Sequence, residues 1–394
     1  FESINSDNEN VQKLIADISE REGVGYTGNG DTTEARKTLA ERFIVPPFSV
    51  LDARQGYWQE RKRAWISLGI KSELGRGDLL TCPGEQITED GLNYYRKREK
   101  TIGAIPPNEA GTNGILASSG KYATSYSSQT RLNALQATGD SRAVDYGTAG
   151  NISEQSGTSI FDPVLCELVY RWFIPFGGHV LDPFAGGSVR GVVAALLGYS
   201  YTGIDLSKRQ IEANIEQGKE LTPDKQPAWI VGDSKNVKEL APGEYDFIFS
   251  CPPYADLEVY SDDPNDLSTM DYPEFKTVYH EIISKSVSML KDNRFACFVV
   301  GDVRDKKGYY RNFVSNTIDA FQNAGMKLYN EAILVTAVGS LPIRVGRPFQ
   351  ANRKLGKTHQ NVLVFYKGDV NKIREFGDVE CGSNEDATNA TPHG

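Results

Sequence analysis

Between residues 158 and 368 short apolar runs alternate with longer amphipathic stretches, and this alternation predicts strands and helices in turn. Strands are expected at His179 to Leu181, Tyr199 to Asp205, Ala228 to Asp233 and Tyr245 to Ser250. Three more are expected at Phe295 to Val300, Lys327 to Val338 and His359 to Tyr366. Helical spacing marks Val164 to Phe173, Val189 to Leu197, Glu274 to Leu290 and Phe313 to Ala324. The alternation predicts an α/β, Rossmann-like seven-stranded sheet whose last two strands form an antiparallel hairpin at one edge.

Ahead of this region the pattern weakens. Residues up to about Arg42 are polar, with one amphipathic stretch from Val11 to Ile18. Phe43 to Leu51 reads as extended, because each of its two prolines biases the preceding residue away from helix. In the next stretch Trp58, Trp65 and Leu68 share a helical face beside Arg61, Lys62 and Arg63. Either this is a core helix with a solvated basic side, or the aromatics and cations face a nucleic acid. Asn93 to Lys100 is a second basic, aromatic-flanked run with the same two readings. Thr101 to Gly157 is rich in Gly, Ser, Thr and Ala and carries too few large apolar residues to build a core. The organisation expected is therefore a smaller N-terminal region over 1–100, a linker or long loop over 101–157, a catalytic domain over 158–368 and a flexible acidic tail over 369–394.

The strand tips carry the chemistry. After the strand at His179 to Leu181 come Asp182, Pro183, Phe184, Ala185, Gly186, Gly187 and Ser188, then a helix. Strand, glycine turn, helix is how an open α/β sheet makes a crevice, and glycine lets a ligand approach the backbone. Asp205 ends the next strand about twenty residues on, the offset at which such folds hold ribose hydroxyls, with Leu206 following it. Asp233 and Ser234 end the third strand, and Ser250, Cys251, Pro252, Pro253 and Tyr254 end the fourth.

Asp182 to Gly187 and Pro252-Pro253-Tyr254, in this order, resemble the amino-directed DNA methyltransferases, whose motifs read Asp-Pro-Phe-x-Gly-Gly and Asp/Asn/Ser-Pro-Pro-Tyr/Phe/Trp. The opening of the chain also resembles the segment that precedes this domain in phage-type DNA modification methylases. The resemblance implies an S-adenosyl-L-methionine-dependent enzyme in the unpermuted motif order, methylating adenine N6 ahead of cytosine N4 in DNA. It assigns the methionine end of the cofactor to Phe161, Asp162, Asp182 and the loop from Pro183 to Ser188. Asp205 with Leu206 takes the ribose, and Asp233 with Ser234 the adenine. Asp162 has a second reading, as the cap of the helix that Pro163 begins, and Asp233 has one as a cap or turn residue. The side chain at 251 and the carbonyl of Pro252 would hold the amine of a base flipped from the duplex, stacked on Tyr254.

Cys251 departs from the family's Asp, Asn or Ser, and a thiol is a weak acceptor. Three alternatives stay open: Ser250 or Asp256 supplies the acceptor, the proline carbonyl suffices, or the protein is slow or inactive. A covalent role for Cys251 fits less well, because cytosine-C5 enzymes place their cysteine after the proline. An RNA base N-methyltransferase, or a catalytically impaired DNA-binding relative, is the competing function.

Composition adds limits. With 394 residues and 39% hydrophobic content the chain can bury a sizeable core. Its net charge of −9 lowers any expectation of strong non-specific affinity for nucleic acid, so binding must rest on local basic patches. The best such patch is Pro342 to His359, with Arg344, Arg347, Arg353, Lys354 and Lys357 and no acid, expected as an insertion that contacts DNA phosphates or as an ordinary basic loop. Five scattered cysteines without a Cys-x-x-Cys pair argue against a structural metal and for a reducing compartment. No long apolar run or signal-peptide pattern is present, so a cytoplasmic location in a bacterial or phage-infected cell is expected, with no membrane partner. Phe1 as first residue is expected of a chain that begins inside a longer product or after processing. Restriction-modification or phage DNA protection is the expected setting, with no endonuclease motif in evidence, and the sequence leaves the oligomeric state open.

Overall fold

The computed structural model describes residues 45–71, 161–254, 263–337 and 341–379, and the side chains of residues 342–344 fall outside that description. All of these residues belong to a single unit of the chain. The helix expected at Val11 to Ile18, the basic run at Asn93 to Lys100, the 101–157 linker, Asp256, the Arg344 side chain and the tail beyond residue 379 lie outside the described residues.

The strands are β1 (Val50–Asp52), β2 (His179–Asp182), β3 (Ser200–Asp205), β4 (Ala228–Val231), β5 (Tyr245–Ser250), β6 (Leu290–Val300), β7 (Lys327–Val335) and β8 (His359–Lys367). The main helices are α1 (Gly56–Ser67), α2 (Pro163–Phe173), α3 (Val189–Leu196), α4 (Lys208–Leu221), α5 (Val237–Leu240), α6 (Tyr272–Met289), α7 (Phe313–Asn323) and α8 (Leu341–Asn352). Strand order in the sheet is β1-β7-β8-β6-β5-β2-β3-β4, and every neighbouring pair is parallel except those made by β8. Successive strands run outward from β2 through β3 to β4 on one side, and from β5 to β6 on the other. The order therefore reverses between β2 and β5, and a crevice opens there at the carboxyl ends of the strands.

Burial explains the runs. Along β5 every residue is buried, as a strand with helices on both faces must be. Phe247 and Phe249 enter the core shared with α2 and α3, while Ile248 enters the core shared with α6 and α7. The same alternation holds on β6, where Cys297 and Val299 face one layer and Ala296, Phe298 and Val300 the other.

Three expectations change. The sheet has eight strands rather than seven, because Val50–Asp52 pairs in parallel with Ile333–Val335. That stretch is legible as extended, but its pairing partner lies almost three hundred residues away and leaves no local signal. The β7–β8 hairpin is consequently not the edge of the sheet. The basic stretch that begins at Pro342 is not simply a loop: Leu341–Asn352 is helical, with Pro348 inside it. Finally, α6 runs directly into β6 at Leu290, several residues before the expected strand start.

Helix α1 is the core helix of the two readings. Trp58 and Trp65 are fully buried, and Arg61 is buried with them. Arg61 donates to Glu167 on α2 through Nε at 3.0 Å and a terminal nitrogen at 2.6 Å, and the Trp65 indole donates to the same carboxylate at 2.7 Å. Arg171 completes the cluster at 2.8 Å. Burial opposes ionisation of Glu167, but Arg61 and then Arg171, with the indole bond, outweigh it and hold its pKa at about 2. A carboxylate whose folded pKa is depressed contributes stability that is complete above its unfolded value near 4.5 and is lost as pH falls towards 2. Acid titration followed by circular dichroism should therefore show stability falling across that window. Glu167→Gln should be less stable than the parent at neutral pH and show a shallower loss through the same window.

Candidate active site

The glycine loop sits at the tip of β2, and the polypeptide around it is pinned from several sides. Gly186 has φ of +50°, and a Cβ built on it meets nothing within 4 Å, so its open side faces space while its backbone conformation favours glycine. The Gly186 N–H donates to Asp205 Oδ2 at 2.9 Å, and its carbonyl accepts from Asn214 Nδ2 of α4 at 2.7 Å. Ala185 N–H donates to the Ile204 carbonyl at 2.9 Å, which brings the loop onto β3. Gly203 makes room for that approach, since a Cβ there would lie 2.8 Å from that of Ala185. Ser188 turns its hydroxyl inward to Gln217 Oε1 at 2.8 Å and leaves the first turn of α3 without a side-chain cap.

Asp182 and Asp205 have opposite situations. Asp182 is fully buried, and its two oxygens accept four hydrogen bonds. Ser250 Oγ at 2.5 Å and Phe184 N–H at 3.1 Å fill Oδ1. Arg190 Nε at 2.6 Å and Tyr201 Oη at 2.7 Å fill Oδ2. A carboxylate has about four lone-pair sites, so Asp182 has none left for a ligand. Its side chain is engaged within the loop and its supporting strands. Asp205 accepts only from Gly186 N–H and, at 2.8 Å, from Ser207 N–H. Each of its oxygens keeps a lone pair, and it is half-buried at the rim. Burial pushes its carboxyl upward, and the two backbone N–H groups work against that rise.

Arg190 is the residue that sequence reasoning missed. It is 4% exposed, bonds Asp182, and donates to the carbonyls of Phe184 at 2.7 Å and Ala185 at 2.9 Å, so one guanidinium holds the loop from beneath. Burial opposes its charge, yet Asp182 outweighs it and drives the guanidinium pKa up. The other face of the guanidinium lies over the Phe161 ring, 4.7 Å from its centroid. A signal existed: one arginine in the otherwise apolar helix from Val189 to Leu197 has no solvated face to occupy.

Asp162 is the N-cap of α2. Its Oδ1 accepts from Val164 N–H at 2.9 Å and Leu165 N–H at 3.4 Å, capping α2. Its Oδ2 accepts from the Trp58 indole at 3.3 Å and pairs with Lys62 at 3.1 Å. That carboxylate too is filled from within the chain. Asp233 caps the short turn Ser234–Asn236 and pairs with Lys235 at 3.0 Å. Ser234 is buried and donates to the Pro183 carbonyl at 2.5 Å, joining the third tip to the loop. Leu206 is half-buried beside Asp205.

Across the switch point, Cys251 to Tyr254 leave the tip of β5. Tyr254 is half-buried, its ring edge-on to Phe313 at 5.9 Å. Its hydroxyl accepts from Gln360 Nε2 of β8 at 2.8 Å and lies 3.9 Å from Cys251 Sγ. Ser250 is fully buried, and its hydroxyl donates to Asp182. The structure thus brings Gly186, Gly187, Asp205 and Pro252-Pro253-Tyr254 to one end of the sheet.

No family model and no curated protein matches the chain.

Among solved structures, the chain is similar to TrmN from Thermus thermophilus, with 14% identity and a TM-score of 0.36 over 52% of this chain and 49% of that one. It is also similar to a methyltransferase from Pyrococcus furiosus, with 14% identity and a TM-score of 0.35 over 61% of this chain and 98% of that one. A third is the magnesium protoporphyrin IX methyltransferase of Synechocystis with bound SAM, with 13% identity and a TM-score of 0.36 over 60% of this chain and 94% of that one. The chain spans about half the length of the first of these. What the crevice does rests on its own residues.

Those residues include cations at the same end. Arg347 and Arg353 are exposed, while Lys354 and Lys357 are half-buried. Lys357 Nζ reaches the Asp302 carbonyl at 3.4 Å, just past the tip of β6. No cluster of candidate metal ligands occurs among the described residues, and no described helix is long and apolar enough to cross a membrane.

Proposed function

We propose that the chain is an S-adenosylmethionine-dependent methyltransferase that modifies an exocyclic amino group of a DNA base, adenine N6 ahead of cytosine N4. One observation carries this: the Pro252-Pro253-Tyr254 loop and the Gly186 loop leave adjacent strands on the two sides of the switch point, with Asp205 beside them. The chemistry of the donor set suits the cofactor. Asp205 keeps one lone pair on each oxygen, which fits a pair of vicinal hydroxyls. The uncapped first turn of α3 is suited to an anionic group such as an amino-acid carboxylate. Open space on the Cβ side of Gly186 lets such a ligand lie against the backbone.

When bound, S-adenosylmethionine supplies an electrophilic methyl and a neutral thioether leaving group. The chain's task is placement. An amine conjugated with its ring is a poor nucleophile until acceptors take its hydrogens and turn its lone pair outward. The Pro252 carbonyl is the stronger acceptor at the loop, because Cys251 offers only sulfur and Ser250 is engaged below. Two prolines stiffen that carbonyl. The Tyr254 ring, fixed at its edge by Phe313 and at its hydroxyl by Gln360, offers a face for the base.

Incubation with methyl-labelled cofactor and duplex DNA or tRNA should place label in DNA, recovered as N6-methyladenine or, second, N4-methylcytosine. Label in tRNA alone would overturn the DNA assignment in favour of RNA. A further expectation concerns Asp205. The cofactor should raise the melting temperature of the parent protein. Asp205→Ala should weaken cofactor affinity about ten-fold or more, through loss of hydrogen bonds to a charged group, and abolish most of that shift.

A further inference from the structure

The loop between β6 and α7 is not singled out by its sequence, yet it is built as a stiff turn. Arg304 and Tyr310 bridge across it, Asp305 N–H donates to the Tyr309 carbonyl at 2.8 Å, and Arg311 N–H donates to the Val303 carbonyl at 2.9 Å. Arg304 also bonds the Gly308 carbonyl at 2.8 Å and lies 4.0 Å from the centroid of the Tyr310 ring. The turn therefore presents Lys306 and Lys307, both exposed, and Tyr309, which is 73% exposed. Most of the Tyr309 ring is therefore open to a partner.

The turn adjoins the basic stretch that feeds β8. A Cβ on Gly308 would lie 2.7 Å from Lys354 Cε, so the Lys354 side chain rests on the turn. Both segments lie at the carboxyl end of β5 and β6, because Ser250 pairs with Phe298 and Val300 with Asn361. Gln360, three residues after Lys357, holds the Tyr254 hydroxyl. Two separate segments of the chain thus make one basic ledge carrying an exposed tyrosine, at the same end of the sheet as the proposed base-stacking ring, on a chain whose net charge is −9.

We infer that this ledge, formed by Lys306, Lys307 and Tyr309 with Arg353 and Lys354, grips an unpaired stretch of the DNA strand that carries the target base. Cations gathered beside an exposed aromatic ring are how proteins track a single strand, the cations on the backbone and the ring stacked on a base. Tyr309 stacks on a nucleotide flanking the target, and the lysines set the path of the backbone. The inference rests on the DNA assignment above for its occupant, but not on methyl transfer.

The test is fluorescence anisotropy of the full chain with a labelled single-stranded oligodeoxynucleotide and its duplex, across a salt series. Lys306→Gln/Lys307→Gln should lower the slope of log affinity against log salt by about one to one and a half, the loss of two phosphate contacts. Tyr309→Ala should weaken single-strand binding about ten-fold and leave that slope unchanged. Lys372→Gln, beyond the opposite end of β8, should do neither. All four substitutions are at exposed positions, and matching melting curves confirm folding. Unchanged affinity and slope in both ledge variants would overturn the inference, as would an equal effect from Lys372→Gln. So would absence of salt-dependent binding by the parent, or tighter binding to duplex that ignores Tyr309. The melting shift with S-adenosylhomocysteine, measured in parallel, separates the two claims. Without it but with the ledge effects intact, the methyltransferase assignment fails and the ledge stands.

Discussion

Replacing Asp182 with alanine is expected to cost about 3–5 kcal/mol of folding stability, although its motif position suggests a ligand contact. The carboxylate accepts from Ser250, Phe184, Arg190 and Tyr201, and it has no exposure. Alanine leaves the Arg190 guanidinium charged in a site it cannot leave, and strands two hydroxyls as well. Total stabilities of about 5–15 kcal/mol make such a loss large enough to reduce folded yield. Urea unfolding measures it directly, through the midpoint shift at constant slope. Asp182→Asn should lose less, because shape survives while the charge does not. Asp182→Leu combined with Arg190→Met should recover much of the deficit, since the penalty lies mainly in the unpaired charge. Any effect of these variants on cofactor affinity should follow from loosening of the Phe184 and Ala185 carbonyls that Arg190 holds.

Tyr254→Ala is expected to lower kcat about a hundred-fold while leaving cofactor affinity unchanged. The ring and its hydroxyl are held by Phe313, Gln360 and Cys251, whereas Asp205 is held by the Gly186 loop and Ser207. Removing the ring takes away a stacking face worth about 1–3 kcal/mol and the placement that follows from it. Tyr254→Phe separates the two contributions: it keeps the ring and drops the Gln360 bond, so a few-fold loss is expected. Steady-state kinetics with duplex DNA, beside calorimetry with S-adenosylhomocysteine, reads both quantities. Equal loss in the two variants would mean that the hydroxyl, rather than the ring, is what the site uses.

Much of the architecture is legible because strands buried on both faces have to be apolar. Tyr245 to Ser250 and Phe295 to Val300 announce themselves in this way, and the order of acids at the tips fixes where the crevice lies. What stays hidden is the use of each acid. A carboxylate at a strand tip looks the same whether its lone pairs face a ligand or the protein's own donors. Asp205 and Asp182 differ only through Arg190, Tyr201 and Ser250, which come from three other places in the chain. Likewise Trp58, Arg61 and Trp65 read equally well as a core or as a nucleic-acid face until Glu167 meets them. Long-range pairing hides the remainder: nothing near Val50 points to Ile333, and nothing near Gln360 points to Tyr254.

The most direct measurement is a calorimetric titration of the full chain with S-adenosylmethionine. Saturable binding at one site per chain, weakened by Asp205→Ala and indifferent to Tyr254→Ala, is what the crevice between β2 and β5 predicts. Heats of dilution alone at millimolar ligand, or binding that Asp205→Ala leaves untouched, would contradict it.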